Sequence, residues 1–76
     1  MVKIMAILKN IRPEEDFAAS QDFISDGFLD SFDIVTLVSD LDSKFSISID
    51  GIDIVPENFR NINTIVALLV KKGVNL

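Results

Sequence analysis

Apolar residues recur with the spacing of a helix face in three separate stretches of the chain. These positions are Ile4, Ile7, Leu8 and Ile11 in the first stretch, Ile34, Leu37, Val38, Leu41 and Phe45 in the second, and Ile62, Ile65, Val66 and Leu69 in the third. An i, i+3, i+4, i+7 repeat puts such residues on one side of an α-helix, where they can be buried together. We therefore predict three amphipathic helices.

Residues that begin or end helices flank each stretch. Pro13 cannot continue the first helix, which we place at about residues 2–11. Asp30 or Ser31 can begin the second helix, because a side-chain oxygen there accepts the free amide protons of the first turn. Asn61 can cap the third helix in the same way.

The segments between the helices lack a helical period. Residues 13–30 mix polar residues with irregularly spaced aromatic residues, which indicates a long loop attached to the core by aromatic side chains, with a turn at Gly27. Pro56 suits the first position of a short helical turn that runs through Phe59.

Apolar and polar residues alternate on both sides of Asp50 and Gly51. The alternation covers residues 45–49 and resumes over residues 52–54. Two alternating runs joined by an Asp-Gly pair are typical of a β-hairpin, so the local pattern alone predicts a hairpin in this stretch.

The composition is that of one small folded domain. Apolar residues make up 49% of the 76 residues, which is enough for a core, and we assign residues 1–76 to a single domain. The N-terminal apolar stretch is too short and too evenly charged for a signal peptide, and no apolar run reaches membrane-spanning length. We therefore expect a soluble, cytoplasmic protein.

The charge balance restricts the partners that the protein can bind. Twelve acidic residues against seven basic residues give a net charge of −5. This charge repels nucleic-acid phosphates and anionic lipids. We expect neither nucleic-acid binding nor membrane insertion, and we expect protein partners with basic surfaces.

The chain contains no histidine and no cysteine. Ser-His-Asp and Cys-His catalysis, and zinc sites built from these ligands, are therefore excluded. Residues 46–57 follow the spacing of a calcium-binding loop, but hydroxyls replace carboxylates and remove the charge on which calcium binding depends. We predict neither a metal site nor a catalytic residue.

One segment, residues 26–38, is similar to the phosphopantetheine attachment region of acyl carrier proteins. It reads Asp26-Gly27-Phe28-Leu29-Asp30-Ser31-Phe32-Asp33-Ile34-Val35-Thr36-Leu37-Val38. In that family an Asp-Ser pair followed by a bulky apolar residue opens the second helix, and Asp30-Ser31-Phe32 fits with phenylalanine in place of the commoner leucine or methionine. The similarity continues through residues 53–59 and covers nearly the whole chain.

The resemblance implies an all-α, four-helix carrier-protein bundle with three long helices and one short one. It also favours an extended loop over a hairpin for residues 46–55. Ser31 would carry a 4'-phosphopantetheine arm, and Asp30 would contact magnesium while a phosphopantetheinyl transferase attaches the arm. Free amides and the helix dipole favour an anion on Ser31, although Asp30 partly opposes it.

A carrier of this family is not an enzyme, because its partners perform the chemistry. The thiol of the arm would hold cargo as a thioester, and ligases or synthases with basic docking patches would load and use it. We expect a monomer that meets these partners through Asp33, Asp40 and Asp42 on the exposed face of the second helix.

The sequence leaves the cargo open. The segment around Ser31 resembles stand-alone carriers of D-alanine as well as carriers of specialised acyl pathways, and fatty-acid or polyketide cargo also fits the family. A cargo of several carbons would need room between the helices, near residues such as Leu37, Val38, Ile54 and Ile65. An aminoacyl cargo would not need such room between the helices.

Two other classes of protein compete with the carrier hypothesis. The first is a helical protein-interaction module without a prosthetic group, in which Ser31 only caps a helix and acidic residues bind a basic partner. The second is a carboxylate-based hydrolase, which would need Asp30 and Asp33 in one pocket with unequal proton affinities.

Overall fold

A computed structural model describes residues 2–75 of the chain. Within this range the chain forms three α-helices: α1 (Val2–Ile11), α2 (Ser31–Phe45) and α3 (Ile62–Lys71). Short 3-10 helices lie between them at Phe17–Ala19, Gly51–Asp53 and Pro56–Phe59. No strand occurs in residues 2–75. The predicted all-α class is confirmed.

The prediction of four helices is not supported, because the expected short helix is a 3-10 helix. It covers the four residues Pro56–Phe59, with the proline near its start as predicted. Phe59 is fully buried and ends this 3-10 helix two residues before the cap of α3. The segment is therefore too short to complete two turns of an α-helix before the next cap.

Local side-chain chemistry sets the starts of α2 and α3. Asp30 caps α2, and Asn61 caps α3 by accepting the amide proton of Thr64 at 3.0 Å. The Thr64 hydroxyl in turn accepts the amide proton of Asn61 at 3.2 Å, which satisfies two otherwise free donors. α1 ends at Ile11, as the proline at position 13 predicts.

The core lies between the three α-helices and the loop that follows α1. Its largest fully buried side chains are Phe17, Phe23, Phe59, Ile4, Leu8, Leu29, Leu37, Leu41, Ile65 and Leu69. The rings of Phe17 and Phe23 meet edge to face with their centroids 5.0 Å apart. Two aromatic residues of the long loop therefore belong to the core, as the sequence indicated.

Phe23 also organises the backbone that leads into α2. Its carbonyl oxygen accepts the amide protons of Phe28 at 2.8 Å and Leu29 at 3.0 Å, across a turn in which Gly27 has a φ of +78°. Its amide donates to the carbonyl oxygen of Arg60 at 2.6 Å. Leu29 is thereby buried in the core directly before the residue that caps α2, which fixes where that helix begins.

Residues 46–55 form a loop rather than a hairpin, as the family resemblance favoured. Asp42, near the end of α2, holds the start of this loop, because its Oδ1 accepts the amide proton of Ile49 at 3.0 Å. Ile49 is buried, but Ile52 is 87% exposed on the 3-10 helix Gly51–Asp53. The alternating pattern therefore does not correspond to one buried face of a strand pair.

Replacing Phe23 with alanine should lower the free energy of unfolding by about 3–5 kcal/mol, because it removes a fully buried ring and leaves a cavity. Phe32→Ala is the matched control: the Phe32 side chain is 80% exposed, so its loss should change the free energy by less than about 0.5 kcal/mol. Urea unfolding followed by circular dichroism measures both values. Equal effects of the two substitutions would contradict the described core.

Candidate functional site

Ser31 is the first residue of α2 and is exposed to solvent. The preceding residue, Asp30, has an extended backbone and caps the helix. At this position the free amides of the first turn point outward along the helix axis, and the positive end of the helix dipole lies here. The hydroxyl of Ser31 is therefore displayed at the surface next to a part of the backbone that favours anions.

A reciprocal pair of hydrogen bonds holds the turn that contains Ser31. The Oδ1 atom of Asp30 accepts the amide proton of Asp33 at 2.9 Å, and the Oδ2 atom of Asp33 accepts the amide proton of Asp30 at 3.2 Å. This is a capping box with aspartate in the place where glutamate or glutamine is usual. Both ends of the first turn are thus fixed by side chains.

Arg12 joins this capping box to the end of α1. Its Nε and Nη2 atoms both donate to the Oδ2 atom of Asp33, at 2.9 and 2.8 Å. The Nη2 atom also lies 3.5 Å from the Oδ2 atom of Asp30. One guanidinium therefore contacts both carboxylates that flank Ser31 in sequence.

The pKa of Asp33 is lowered below its ordinary value even though the residue is buried. Burial alone would raise the pKa, because it penalises the charged form. Hydrogen bonds from Arg12 and from the amide of Asp30, together with the charge of Arg12, outweigh that effect. Asp33 is therefore ionised at neutral pH, and the same interaction raises the pKa of Arg12.

The prediction that Asp33 lies on the exposed face of α2 is wrong. Its residue surface is only 8% exposed, and its carboxylate is turned toward Arg12. The physical reason is its position three residues after the cap, where a carboxylate can bond back to the cap amide. That spacing was visible in the sequence, but the contribution of Arg12 was not.

Asp40 and Asp42, the other two predicted partner contacts, are half-buried. Asp40 lines a groove of about 420 Å³ together with Lys3, Ala6, Ile7, Asn10, Ser43 and Lys44. Asp42 uses one oxygen to hold the loop that follows α2. The structure does not bring Asp33, Asp40 and Asp42 together as one exposed acidic surface.

Two exposed apolar residues lie near Ser31, and neither was predicted as a partner contact. Phe32 is 80% exposed and Val35 is 64% exposed, and they lie three residues apart on α2. Residues with this separation share one side of a helix. The signal was present in the sequence, because both residues fall outside the buried stripe of α2, and an apolar residue outside that stripe must face solvent or a partner.

A second charged cluster joins the loop after α2 to the end of α3. The Nζ atom of Lys72 lies 2.6 Å from Asp53 and 2.9 Å from Asp50, and the Nζ atom of Lys71 lies 3.3 Å from Asp53. Hydrogen bonding from Lys72 lowers the pKa of Asp53 despite its burial. This cluster fixes the 3-10 helix that carries the exposed Ile52.

A second groove, of about 310 Å³, lies beside the start of α3. It is lined by Met5, Phe17, Ala18, Ser20, Asn61, Ile62 and Asn63. Neither this groove nor the one beside Asp40 is lined by Ser31, Asp30 or Asp33.

Residues 2–75 include no group of three or more acidic side chains arranged to hold a metal ion. None of the helices in the described part of the chain is long and apolar enough to cross a membrane.

No family model, curated protein or solved structure matches this chain. Its function is therefore inferred from the chemistry and geometry of its own residues.

Asp33 should make the stability of the protein pH-dependent. Because its pKa is lower in the folded state than the ordinary 3.8, its ionised form contributes stability above pH 3.8, and this contribution is lost as the pH falls through the folded pKa. The difference in unfolding free energy between wild type and Asp33→Asn should therefore shrink between about pH 6 and about pH 3. Urea titrations at both pH values test this, and a difference that grows on acidification would contradict the assignment.

Proposed function

We propose that this protein is an acyl or aminoacyl carrier protein that bears a 4'-phosphopantetheine arm on Ser31. The observation that carries the proposal is the exposure of Ser31 at the first position of α2, directly after its aspartate cap. The all-helical fold and the similarity of residues 26–38 to the attachment region of carrier proteins support it. The carrier bundle of that family is part of the same proposal.

The proposed modification is a phosphoryl transfer onto the serine oxygen. The Oγ atom of Ser31 would form a bond to the phosphorus next to the pantetheine of coenzyme A. The bond from that phosphorus to the bridging oxygen of the pyrophosphate would break, and adenosine 3',5'-bisphosphate would leave with that oxygen. The serine proton would pass to a base on the transferase, since the chain contains no histidine. Backbone amides at the start of α2 would then stabilise the attached phosphodiester.

Asp30 has two roles in this proposal. Its Oδ1 atom is occupied by the amide of Asp33, whereas its side chain as a whole stays largely exposed. The Oδ2 atom, which lies 3.5 Å from Arg12 on a side chain that is 63% exposed, would contact magnesium that accompanies coenzyme A on the transferase. The proposed contact lasts only during modification.

Partner enzymes would dock on the surface of α2 around Ser31. Phe32 and Val35 offer exposed apolar area there, which is the type of surface that interface cores use. Asp40 and Asp42 remain proposed contacts for basic patches on ligases or synthases. Asp33 could contact a partner only if its hydrogen bonds with Arg12 broke, so it is the weakest candidate among the three proposed contacts.

The packing of the core favours a small cargo. Of the four residues predicted to line a cargo site, Leu37 and Ile65 are fully buried, Val38 is buried and Ile54 is exposed. Neither groove described above is lined by any of them. A long acyl chain would have to displace packed side chains to lie between the helices, whereas an aminoacyl or short acyl group would stay at the end of the arm. We propose that the carrier works as a monomer in the cytoplasm, where coenzyme A is available.

The protein should gain one phosphopantetheine arm when it is incubated with coenzyme A, magnesium and a broad-specificity phosphopantetheinyl transferase. Intact-mass spectrometry would detect the addition on wild type and on Ser39→Ala, which removes another exposed serine of α2. Ser31→Ala should gain nothing. A folded wild type that stays unmodified would favour the alternative, a protein-interaction module without a prosthetic group.

Phe32→Ala should lower the kcat/KM of the transferase for the carrier by about tenfold, because an exposed aromatic residue next to the modified serine is a strong candidate for an interface anchor. Val70→Ala removes exposed apolar area from α3 and should leave the rate unchanged. Steady-state modification kinetics provide the measurement. Equal rates for Phe32→Ala and wild type would remove Phe32 from the docking surface.

A further inference from the structure

Arg12 lies 19 positions before Ser31 in the sequence, yet its guanidinium lies at the turn that contains this serine. It donates twice to Asp33 and approaches Asp30 to 3.5 Å. Arg12 directly follows α1, so these contacts connect the end of α1 to the start of α2. Nothing in the proposed modification chemistry uses Arg12 directly.

The burial of Asp33 makes this contact necessary. A carboxylate that is 8% exposed needs a cation or several hydrogen-bond donors, since a buried charge without them is strongly unfavourable. Among residues 2–75, Arg12 is the basic residue that forms an ion pair with Asp33. Without Arg12, the Asp33 carboxylate would have to take up a proton or turn outward into water.

The outward turn would disturb the residue before Ser31. The Oδ2 atom of Asp33 that binds Arg12 is also the atom that accepts the amide proton of Asp30. If Asp33 turned outward, Asp30 would lose this bond and a second unpaired carboxylate would lie on the first turn of α2, close to Ser31. Local negative charge would then increase where the anionic coenzyme A has to approach Ser31.

We propose that Arg12 is a positioning residue for the modification of Ser31. By neutralising Asp33, Arg12 keeps that carboxylate inside the capping box, fixes the turn at Asp30 and Ser31, and limits the negative charge that the transferase and coenzyme A encounter. This inference rests on the proposed carrier function. In this role Arg12 affects modification only through its contacts with Asp33 and Asp30.

Modification kinetics of Arg12 variants test the proposal. Arg12→Gln should lower kcat/KM for modification by about tenfold or more, since small displacements of a reacting group are costly. The double variant Arg12→Gln with Asp33→Asn should recover most of the rate, because it removes both charges and leaves two amides that can hydrogen-bond. Both variants are compared as folded protein, with the free energy of unfolding measured in parallel. A merely structural role of Arg12 predicts that this free energy falls and recovers while kcat/KM of the folded protein stays at the wild-type value.

Arg60→Gln is the matched control. Arg60 also forms an ion pair with an aspartate, Asp22, at 3.8 Å, and its loss changes the net charge equally. This variant should be modified at the wild-type rate. Hydrogen exchange at the amide of Asp33, which donates to Asp30, gives a local readout and should be faster in Arg12→Gln but not in Arg60→Gln.

The outcomes separate this inference from the function on which it rests. If the wild type accepts no arm, the carrier function fails, whatever the Arg12 variants do. If the wild type is modified and Arg12→Gln reacts equally fast, or the double variant stays as slow as Arg12→Gln, the role of Arg12 is overturned. If Arg12→Gln does not fold, the double variant is compared with Asp33→Asn alone. Equal rates support a role of Arg12 that acts through Asp33, and a slower double variant overturns it.

Discussion

The arrangement around Ser31 depends on one buried carboxylate that must be paired. Asp33 is removed from water by the packing of α2, and a charge in that position is tolerated only with a cation and hydrogen-bond donors around it. Arg12 supplies the cation, and the amide of Asp30 supplies a further donor. The end of α1 and the start of α2 are therefore held together by the same carboxylate oxygen.

Because acidic residues are paired within the fold, the net charge of −5 says less about binding partners than it would for unpaired residues. In the described part of the chain, Asp22, Asp30, Asp33, Asp50 and Asp53 all lie in ion pairs with lysine or arginine. Two of the places where loops meet helix termini, at Arg12 and at Lys72, are joined in this way. Five of the twelve acidic residues are thus already paired with basic residues of the chain, and fewer are free to attract basic partners than composition suggests.

The features that could be predicted from sequence are those set by near neighbours. Pro13 ends α1, Asp30 and Asn61 cap their helices, and the apolar period of α2 identifies its buried side. Each depends on contacts within a few residues. The same local rules predicted Ser31 at the start of α2, where the structure has it.

The features that could not be predicted depend on partners distant in sequence. The cation that pairs with the buried Asp33 is Arg12, which lies 21 residues earlier. Local alternation around Asp50 indicated a hairpin, but Lys72, 22 residues later, holds this stretch as a loop with a 3-10 helix. Pro56 starts a helical turn as expected, yet the nearby cap of α3 leaves too little chain for an α-helix.

Everything in the functional account requires a covalent group on one hydroxyl. The most direct measurement is the mass of the peptide that contains Ser31, taken from protein isolated from the cells that make it. The account predicts that this peptide carries a phosphopantetheine group, with fragmentation that places it on Ser31. A peptide found only in its unmodified form, in cells that modify other carriers, would contradict the account.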